Sequence, residues 1–479
     1  MTKNYQSPLG IRYASEEMSA LFSSQNKHAT WRRMWIALAQ AEMELGLPIT
    51  EEQIAELTEN VDNIDFDKAN EYEKQLKHDV MAHIHAYGDQ CPKARPIIHL
   101  GATSCLITDN SDVIILRDAL HILQKKLVTV IKKLSDTAKK YQNLPCLSFT
   151  HFQTAQPTTV GKRMCLWLQD FLLDLEDLEF RLKKLRLLGI KGATGTQASF
   201  LNLFEGDHEK VRKLEAIICQ RLGFEKPFPV TGQTYSRKQD VQILQVLSGI
   251  ATTAHKMATD LRLLAHMKEI EEPFSEKQIG SSAMPYKRNP MQSERICSIA
   301  RFVISLSENP TYTAATQWFE RTLDDSANRR LCIPESFLAV DSILRLLINI
   351  SGDMVVYPKV IEKNLKNEMP FLATENILME SVRKGADRQN IHELIRQHSI
   401  TVGKRIKEEG LDNDLIARIA EDKNIPLSEE ELDNCLEARR YIGRAPEQVE
   451  EFMLNEIADV MERYREVDIE KEALVTINN

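Results

Sequence analysis

Apolar residues recur at alternating spacings of three and four along three long stretches of the chain. Over residues 110–140 the seam is Val113, Leu116, Leu120, Leu123, Leu127, Val130 and Leu134. Over 160–188 it is Met164, Leu168, Phe171, Leu175, Leu178, Leu182 and Leu185, and over 236–268 it is Ile243, Leu247, Ile250, Ala254, Met257, Leu261 and Leu264. A seven-residue apolar repeat held over about three heptads predicts helices packed side by side at shallow angles. Thirty helical residues span about 45 Å, far more than an average globular helix. Trp167, Leu172, Val246 and Leu263 add apolar faces beside the seams, so each helix is expected to have several neighbours. Two shorter helices are predicted, one from Pro290 toward Ser307 and one over residues 335–350.

These helices define a central long-helix bundle over residues 109–357. An N-terminal helical domain, 1–108, precedes it, punctuated by Pro48, Pro92 and Pro96. A C-terminal helical domain, 358–479, follows, with Gly410, Pro426 and Pro446 marking short elements. With 479 residues, three domains are a natural division. Gly (18) and Pro (17) are sparse and aromatics make up 6%, which argues against a sandwich or barrel and for an all-α class.

The charge balance, 61 Lys and Arg against 70 Asp and Glu, leaves a net −9. Such a chain does not advertise generic binding to nucleic acid or to an anionic membrane, although cations can still converge in one cleft. No run of about 18 apolar residues predicts a membrane span, and the first residues lack the apolar segment of a signal peptide. None of the eight cysteines forms a C-x-x-C pair, which disfavours zinc ribbons and thioredoxin-type sites. Scattered cysteines in a chain this long read as buried thiols in a reducing compartment, so a cytoplasmic location is expected.

The loops between the seams carry the chemistry. Gly280-Ser281-Ser282-Ala283-Met284-Pro285-Tyr286-Lys287-Arg288-Asn289-Pro290 combines small flexible residues, two prolines and two cations between two predicted helices. It reads as an anion-binding flap, against the plainer alternative of a polar surface loop. The run His78-Asp79-Val80-Met81-Ala82-His83-Ile84-His85 invites a metal reading. On a helix, however, His78 and His85 share a face at i, i+7, not at the i, i+4 of a zinc hydrolase. His83 and His85 are therefore read as structural.

The 280–290 string resembles the signature loop of the fumarase/aspartase superfamily, whose members eliminate fumarate from a substituted succinate. Further blocks extend the resemblance to the adenylosuccinate lyase family within it. They include Arg12-Tyr13-Ala14-Ser15, Lys77-His78-Asp79-Val80-Met81-Ala82-His83, Ile98-His99-Leu100-Gly101-Ala102-Thr103-Ser104 and Phe149-Thr150-His151-Phe152-Gln153. Later come residues 192–200, Thr231-Gly232-Gln233-Thr234-Tyr235-Ser236-Arg237 and residues 317–330, with Thr374-Glu375-Asn376 beyond. The resemblance implies a three-domain fold in which the bundle forms the core of a homotetramer, with each site shared between subunits. It also implies two small-molecule substrates and no metal or organic cofactor. These are adenylosuccinate, giving AMP, and the succinyl-carboxamide imidazole ribotide (SAICAR), giving AICAR, each with fumarate.

Such an elimination needs a base for a weakly acidic carbon-bound proton, an acid for the departing nitrogen and stabilisation of charge on a carboxylate. By resemblance Ser281 is the base, Lys287 holds the developing charge, and His151 is the acid. His78 assists substrate orientation or the acid, and Glu294 orients His151 or Lys287. Thr150 and Gln153 are expected to orient His151 by hydrogen bonds. Substrate contacts are implied for Arg12, Tyr13, Lys77, Asp79, His99, Thr103, Ser104, Thr150, Gln233, Ser282, Met284, Asn289, Arg295, Arg321, Ser326 and Arg330. Lys77 stands where the resembled pattern carries arginine, and so offers a point charge, not a planar fork. Asp324 and Asp325 are both candidates to cap or orient. These blocks fall at opposite ends of helices about 40 Å long, so association of bundles is the expected route to a complete site.

Overall fold

The computed structural model of the chain describes residues 5–274, 279, 281–469 and 471. Its centre is a bundle of five helices: Ser104–Lys140, Val160–Lys184, Lys238–His266, Met291–Leu306 and Asp325–Asp353. They are numbered first to fifth below. The seam residues of the first three are buried in one apolar core, apart from Leu182, which is partly buried against it. The first helix alone, 37 residues, extends about 55 Å.

Cross-helix bonds fix the directions. Arg329 meets Asp112, Lys126 meets Asp341, and the Thr137 hydroxyl donates to the Ser351 carbonyl, so the first and fifth helices run parallel. Arg237 meets Asp109, which starts the third helix at the same end. The second helix runs against the third, with Trp167 Nε1 donating to Asp260 at 2.7 Å and Arg181 to Gln242 at 2.6 Å. Asn349 donates to Gln292, placing the start of the fourth helix at the end of the fifth. One end of the bundle therefore carries the N-termini of the first, third and fifth helices. The opposite end carries the N-termini of the second and fourth.

Two of the helix bounds differ from the apolar pattern. The first helix begins at Ser104, six residues ahead of its expected start, because Ser104, Cys105, Thr108, Asp109 and Asp112 turn toward a polar cleft. The fifth begins at Asp325, ten residues ahead of its expected start at 335, and runs through Pro334. Proline removes a donor to the carbonyl four residues back, here Arg330, at a position that also faces the cleft.

Two other apolar clusters flank the bundle core. One gathers Trp31, Trp35, Tyr87 and Leu106 with Ile190, Phe200, Leu214 and Ile218. The other gathers Leu365, Ile377, Ile395, Leu415 and Leu432 around Leu147. Strand structure among the described residues is confined to two small antiparallel pairs. One of them, Pro145–Thr150 with Gln153–Thr159, is a hairpin joining the first and second bundle helices. At its base Gly161 is obligatory: a Cβ there would lie 2.3 Å from the Ala138 carbonyl oxygen.

Candidate active site

A cleft of 830 Å³ opens at the end where the first, third and fifth helices begin. Nine of the residues implied to be catalytic or substrate-binding line it, namely Lys77, His78, Asp79, Thr103, Ser104, Gln233, Arg321, Ser326 and Arg330, and Asp325 lines it beside them. Local structure explains their placement. Lys77 takes a left-handed conformation, φ 56°, that ends the Phe66–Leu76 helix. His78 then caps the Asp79–Gln90 helix, its Nδ1 accepting from the Met81 amide at 3.3 Å. Its Nε2 faces the Ser104 hydroxyl at 3.4 Å. Asp79 accepts from the Val80 amide at 2.8 Å and from Arg330 at 3.3 Å. Three helices thus begin at the cleft, at Asp79, Ser104 and Asp325, and the positive ends of their dipoles favour an anionic ligand.

His99 sits behind this wall. Its Nδ1 accepts from the Trp35 indole at 3.0 Å, and burial, then the neighbouring His78, push its pKa down to about 4. It is a neutral imidazole at physiological pH. His83 is buried and stacks on His28 with ring centroids 3.8 Å apart, and His85 stacks on Tyr72. Both have the structural roles expected of them.

Beneath the cleft lies a buried network of charges. Arg237 forks onto Asp109 at 3.0 and 3.1 Å and donates through Nε to Asp325 at 2.7 Å. The other oxygen of Asp325 accepts from Arg321 at 2.8 Å. Arg329 donates to Asp240, Asp112 and the Tyr235 hydroxyl. Burial works to raise the Asp325 carboxyl, but Arg237 and Arg321 outweigh it and hold it below the ordinary carboxylate range. Asp325 is therefore the orienting member of the 324–325 pair. Asp324 takes exposed bonds from Gln317 and Thr322.

The remaining candidates lie elsewhere. Ser281 caps its own loop, accepting from the Met284 amide at 3.2 Å, and the Lys287 amide donates to the Met284 carbonyl at 3.0 Å. Ser282, Met284 and Lys287 are exposed and Asn289 is half-buried. Gly280 lies outside the described residues. This loop leads into the fourth helix, at the end opposite the cleft. Glu294 is exposed in that helix's first turn. Arg295 stacks on the Tyr13 ring with its guanidinium 5.4 Å from the centroid, and Arg12 approaches the same ring at 5.8 Å. The Tyr13 carbonyl accepts from Arg345, about 30 Å along the fifth helix from Asp325.

Thr150 and His151 stand on the hairpin beyond the C-terminal end of the first helix. Thr150 pairs with Gln153, and the two turn residues, His151 (φ 52°) and Phe152 (φ 59°), are both left-handed. Two such positions in succession fit a two-residue hairpin turn that normally selects Asn and Gly. Here a histidine and a phenylalanine bear that strain while fully outside the core, a pattern associated with functional positions. The expected orienting bonds from Thr150 and Gln153 to His151 are not made among the described residues. Gln153 donates instead to the Phe152 carbonyl at 3.1 Å.

Sequence reasoning missed Lys27, Asp109, Asp112, Arg237 and Arg329. A signal existed for two of them: Asp109 and Asp112 precede Val113 and Leu116 by four residues, so they put charge on an apolar helix face.

Known proteins match this architecture closely. A family model described as lyase matches residues 12–305, and one described as adenylosuccinate lyase C-terminus matches residues 370–452. The adenylosuccinate lyase of Saccharomyces cerevisiae is 53% identical, covering 96% of each chain. That of Schizosaccharomyces pombe is 51% identical, covering 98% of each. Among solved structures, the 3-carboxy-cis,cis-muconate lactonizing enzyme of Pseudomonas putida superposes with a TM-score of 0.80 at 23% identity, covering 96% of this chain and 99% of that one. This last match speaks to the fold alone.

Proposed function

The chain belongs to the adenylosuccinate lyase family of the fumarase/aspartase superfamily, and from that premise we propose how its two ends perform one elimination. It is a carbon–nitrogen lyase of purine nucleotide biosynthesis. It releases fumarate from adenylosuccinate to leave AMP, and from SAICAR to leave AICAR.

In our reading Ser281 takes the proton from the carbon next to a succinyl carboxylate. The electron pair of that C–H bond becomes the double bond of fumarate, the C–N bond breaks, and His151 protonates the departing nitrogen. Lys287 holds the charge that builds on the carboxylate. His78, fixed by the Met81 amide and facing Ser104, orients the substrate or the acid. Glu294 orients His151 or Lys287. Proton transfer and electrostatics suffice for this chemistry, so no cofactor is invoked.

The observation that carries the reading is the division of the machinery. The cleft with its anion-directed helix ends lies at one end of the bundle, and the base and acid candidates lie at the other, Ser281 half-buried and His151 exposed. A homotetramer with antiparallel bundles at its core would bring the loop and the hairpin of neighbouring subunits onto each cleft. Exposed apolar residues on the bundle helices, among them Leu166, Leu173, Phe180, Leu263 and Phe302, are consistent with such a core. The three apolar clusters are consistent with domains over 1–108, 109–357 and 358–479 in outline, although Leu9, Met18, Ile361, Ile457 and Val460 pack into the bundle core, residues between Ile190 and Ile218 join the N-terminal cluster and Leu147 joins the C-terminal one. No helix among the described residues is long and apolar enough to cross a membrane, and all eight cysteines are free, which supports a cytoplasmic location.

The test is fumarate release from adenylosuccinate by the purified protein. Ser281→Ala and His151→Ala should each lower turnover by about a thousandfold or more while leaving the helical content unchanged, since both side chains lie outside the core. Unchanged turnover in either variant overturns its assigned role.

A further inference from the structure

Lys27 lies on the Ser24–Glu44 helix and lines the cleft alongside Lys77, Asp79 and Arg330. The arginines of the cleft wall all have carboxylate partners. Arg237 is held by Asp109 and Asp325, Arg321 by Asp325, Arg329 by Asp240 and Asp112, and Arg330 by Asp79. Lys77 is exposed and solvated. Lys27 is different. It is half-buried, its ammonium sits 5.1 Å from the centre of the Trp31 ring, and no carboxylate among the described residues comes within ion-pairing distance. Burial pushes its pKa below the ordinary lysine range; Asp112, Asp79 and the exposed Glu73 oppose the shift and Arg330 adds to it.

A cation drawn partly out of water without a counter-ion costs free energy that an anionic ligand recovers. We propose that Lys27 is a further substrate-binding residue, whose ammonium meets an oxyanion of the bound nucleotide, either its phosphate or a succinyl carboxylate. Trp31 fixes the direction of the side chain from below, and the carboxylates of Asp79 and Asp112 are already committed to Arg330 and Arg329. This inference rests on the cleft being the substrate site. Wild-type protein that releases no fumarate would sink that assignment, whereas an active enzyme indifferent to Lys27 sinks this inference alone.

Two measurements test it. Lys27→Met is compared with wild type on adenylosuccinate, with AMP and fumarate as product inhibitors. KM should rise about tenfold or more with kcat changed less than about threefold. A matching rise in the AMP inhibition constant alone assigns the phosphate, and a rise for fumarate alone assigns the carboxylate. Lys27→Arg, which keeps the charge, should recover most of the loss. A folded Lys27→Met with unaltered KM and unaltered inhibition by both products overturns the proposal, as does a fall in kcat with KM unchanged. The second measurement uses wild-type protein and does not depend on a variant folding. An amine-acylating reagent followed by peptide mass mapping should label Lys27 in the free enzyme, and AMP or fumarate should suppress that label. Equal labelling with and without both products overturns the proposal.

Discussion

The guanidinium of Arg237 lies flat against the carboxylate of Asp109, with Nη1 3.0 Å and Nη2 3.1 Å from its two oxygens. The same guanidinium reaches Asp325 through Nε. One side chain thereby ties the starts of the first, third and fifth bundle helices together. Each of those starts also presents a cleft residue: Ser104, Gln233 just ahead of the third helix, and Ser326. The pair is almost fully buried, so its worth lies in geometry more than in net attraction.

Replacing Arg237 by lysine keeps the charge but not the fork. An ammonium cannot satisfy two carboxylates on different helices at once, and a buried carboxylate oxygen is left unpaired. We expect Arg237→Lys to lose about 3 kcal/mol of stability by urea denaturation. We also expect its kcat/KM to fall by more than the stability loss explains at temperatures where it stays folded, because Arg321 is held through Asp325. An unchanged urea midpoint would contradict this account of the network.

Gly232 gives a sterically defined prediction in the same region. A Cβ at this position would sit 2.5 Å from the Glu320 carbonyl oxygen and 2.9 Å from its Cα, both backbone atoms that cannot rotate away. The next residue, Gln233, donates its amide to that same carbonyl at 2.9 Å. Gly232→Ala must therefore move Gln233 or the strand of chain leading to Arg321. The expected outcome is a folded protein whose KM for adenylosuccinate rises by about tenfold, read from steady-state kinetics. Wild-type KM would mean that the 317–321 segment yields without cost.

The division of the site between bundle ends makes a third prediction. Ser281→Ala removes a function at one end and Arg330→Ala a function at the other. If each site takes its loop and its cleft from different subunits, reassembling equal amounts of the two inactive variants regenerates intact sites. Random mixing gives about one quarter of wild-type activity, since two independent subunits must each be intact at one position. Mixing that restores nothing, with exchange of subunits confirmed by native mass spectrometry, would place all the machinery within one chain.

The bundle was legible because its helices carry long apolar seams, and burial of those seams is what holds them. The parts that were illegible share a physical cause. The first helix starts early because its opening turns face a polar cleft, and a polar face leaves no apolar period to read. The fifth helix passes through Pro334, where tertiary packing overrides a local break signal. The His151 hairpin has no Asn-Gly turn to announce it, since its left-handed positions are filled by His151 and Phe152. Motif resemblance singled out residues that line the cleft, but not the pairing of Arg321 and Arg330. Asp79 pairs with Arg330 only when segments remote in sequence come together, and Asp325, four residues from Arg321, is fixed in place by Arg237 from the start of the third helix.

Glu42 supplies a stability prediction with a definite pH window. Its side chain is fully buried on the Ser24–Glu44 helix, and neither carboxylate oxygen has a hydrogen-bond partner among the described residues. Burial raises its pKa from 4.5 to about 9, so the folded protein holds it protonated. Because the folded value lies above the unfolded one, the folded state binds the extra proton. Stability from this group is complete below pH 4.5 and declines as pH rises toward 9. At pH 7 the penalty relative to acid pH is about 3 kcal/mol. Glu42→Gln keeps the shape of the protonated side chain and removes the titration. It should raise the urea midpoint at pH 7 to 8, with the gain shrinking steadily as the pH is lowered toward 5. A gain of equal size at every pH would show that the carboxyl does not titrate between the folded and unfolded states, and that the benefit comes from packing instead.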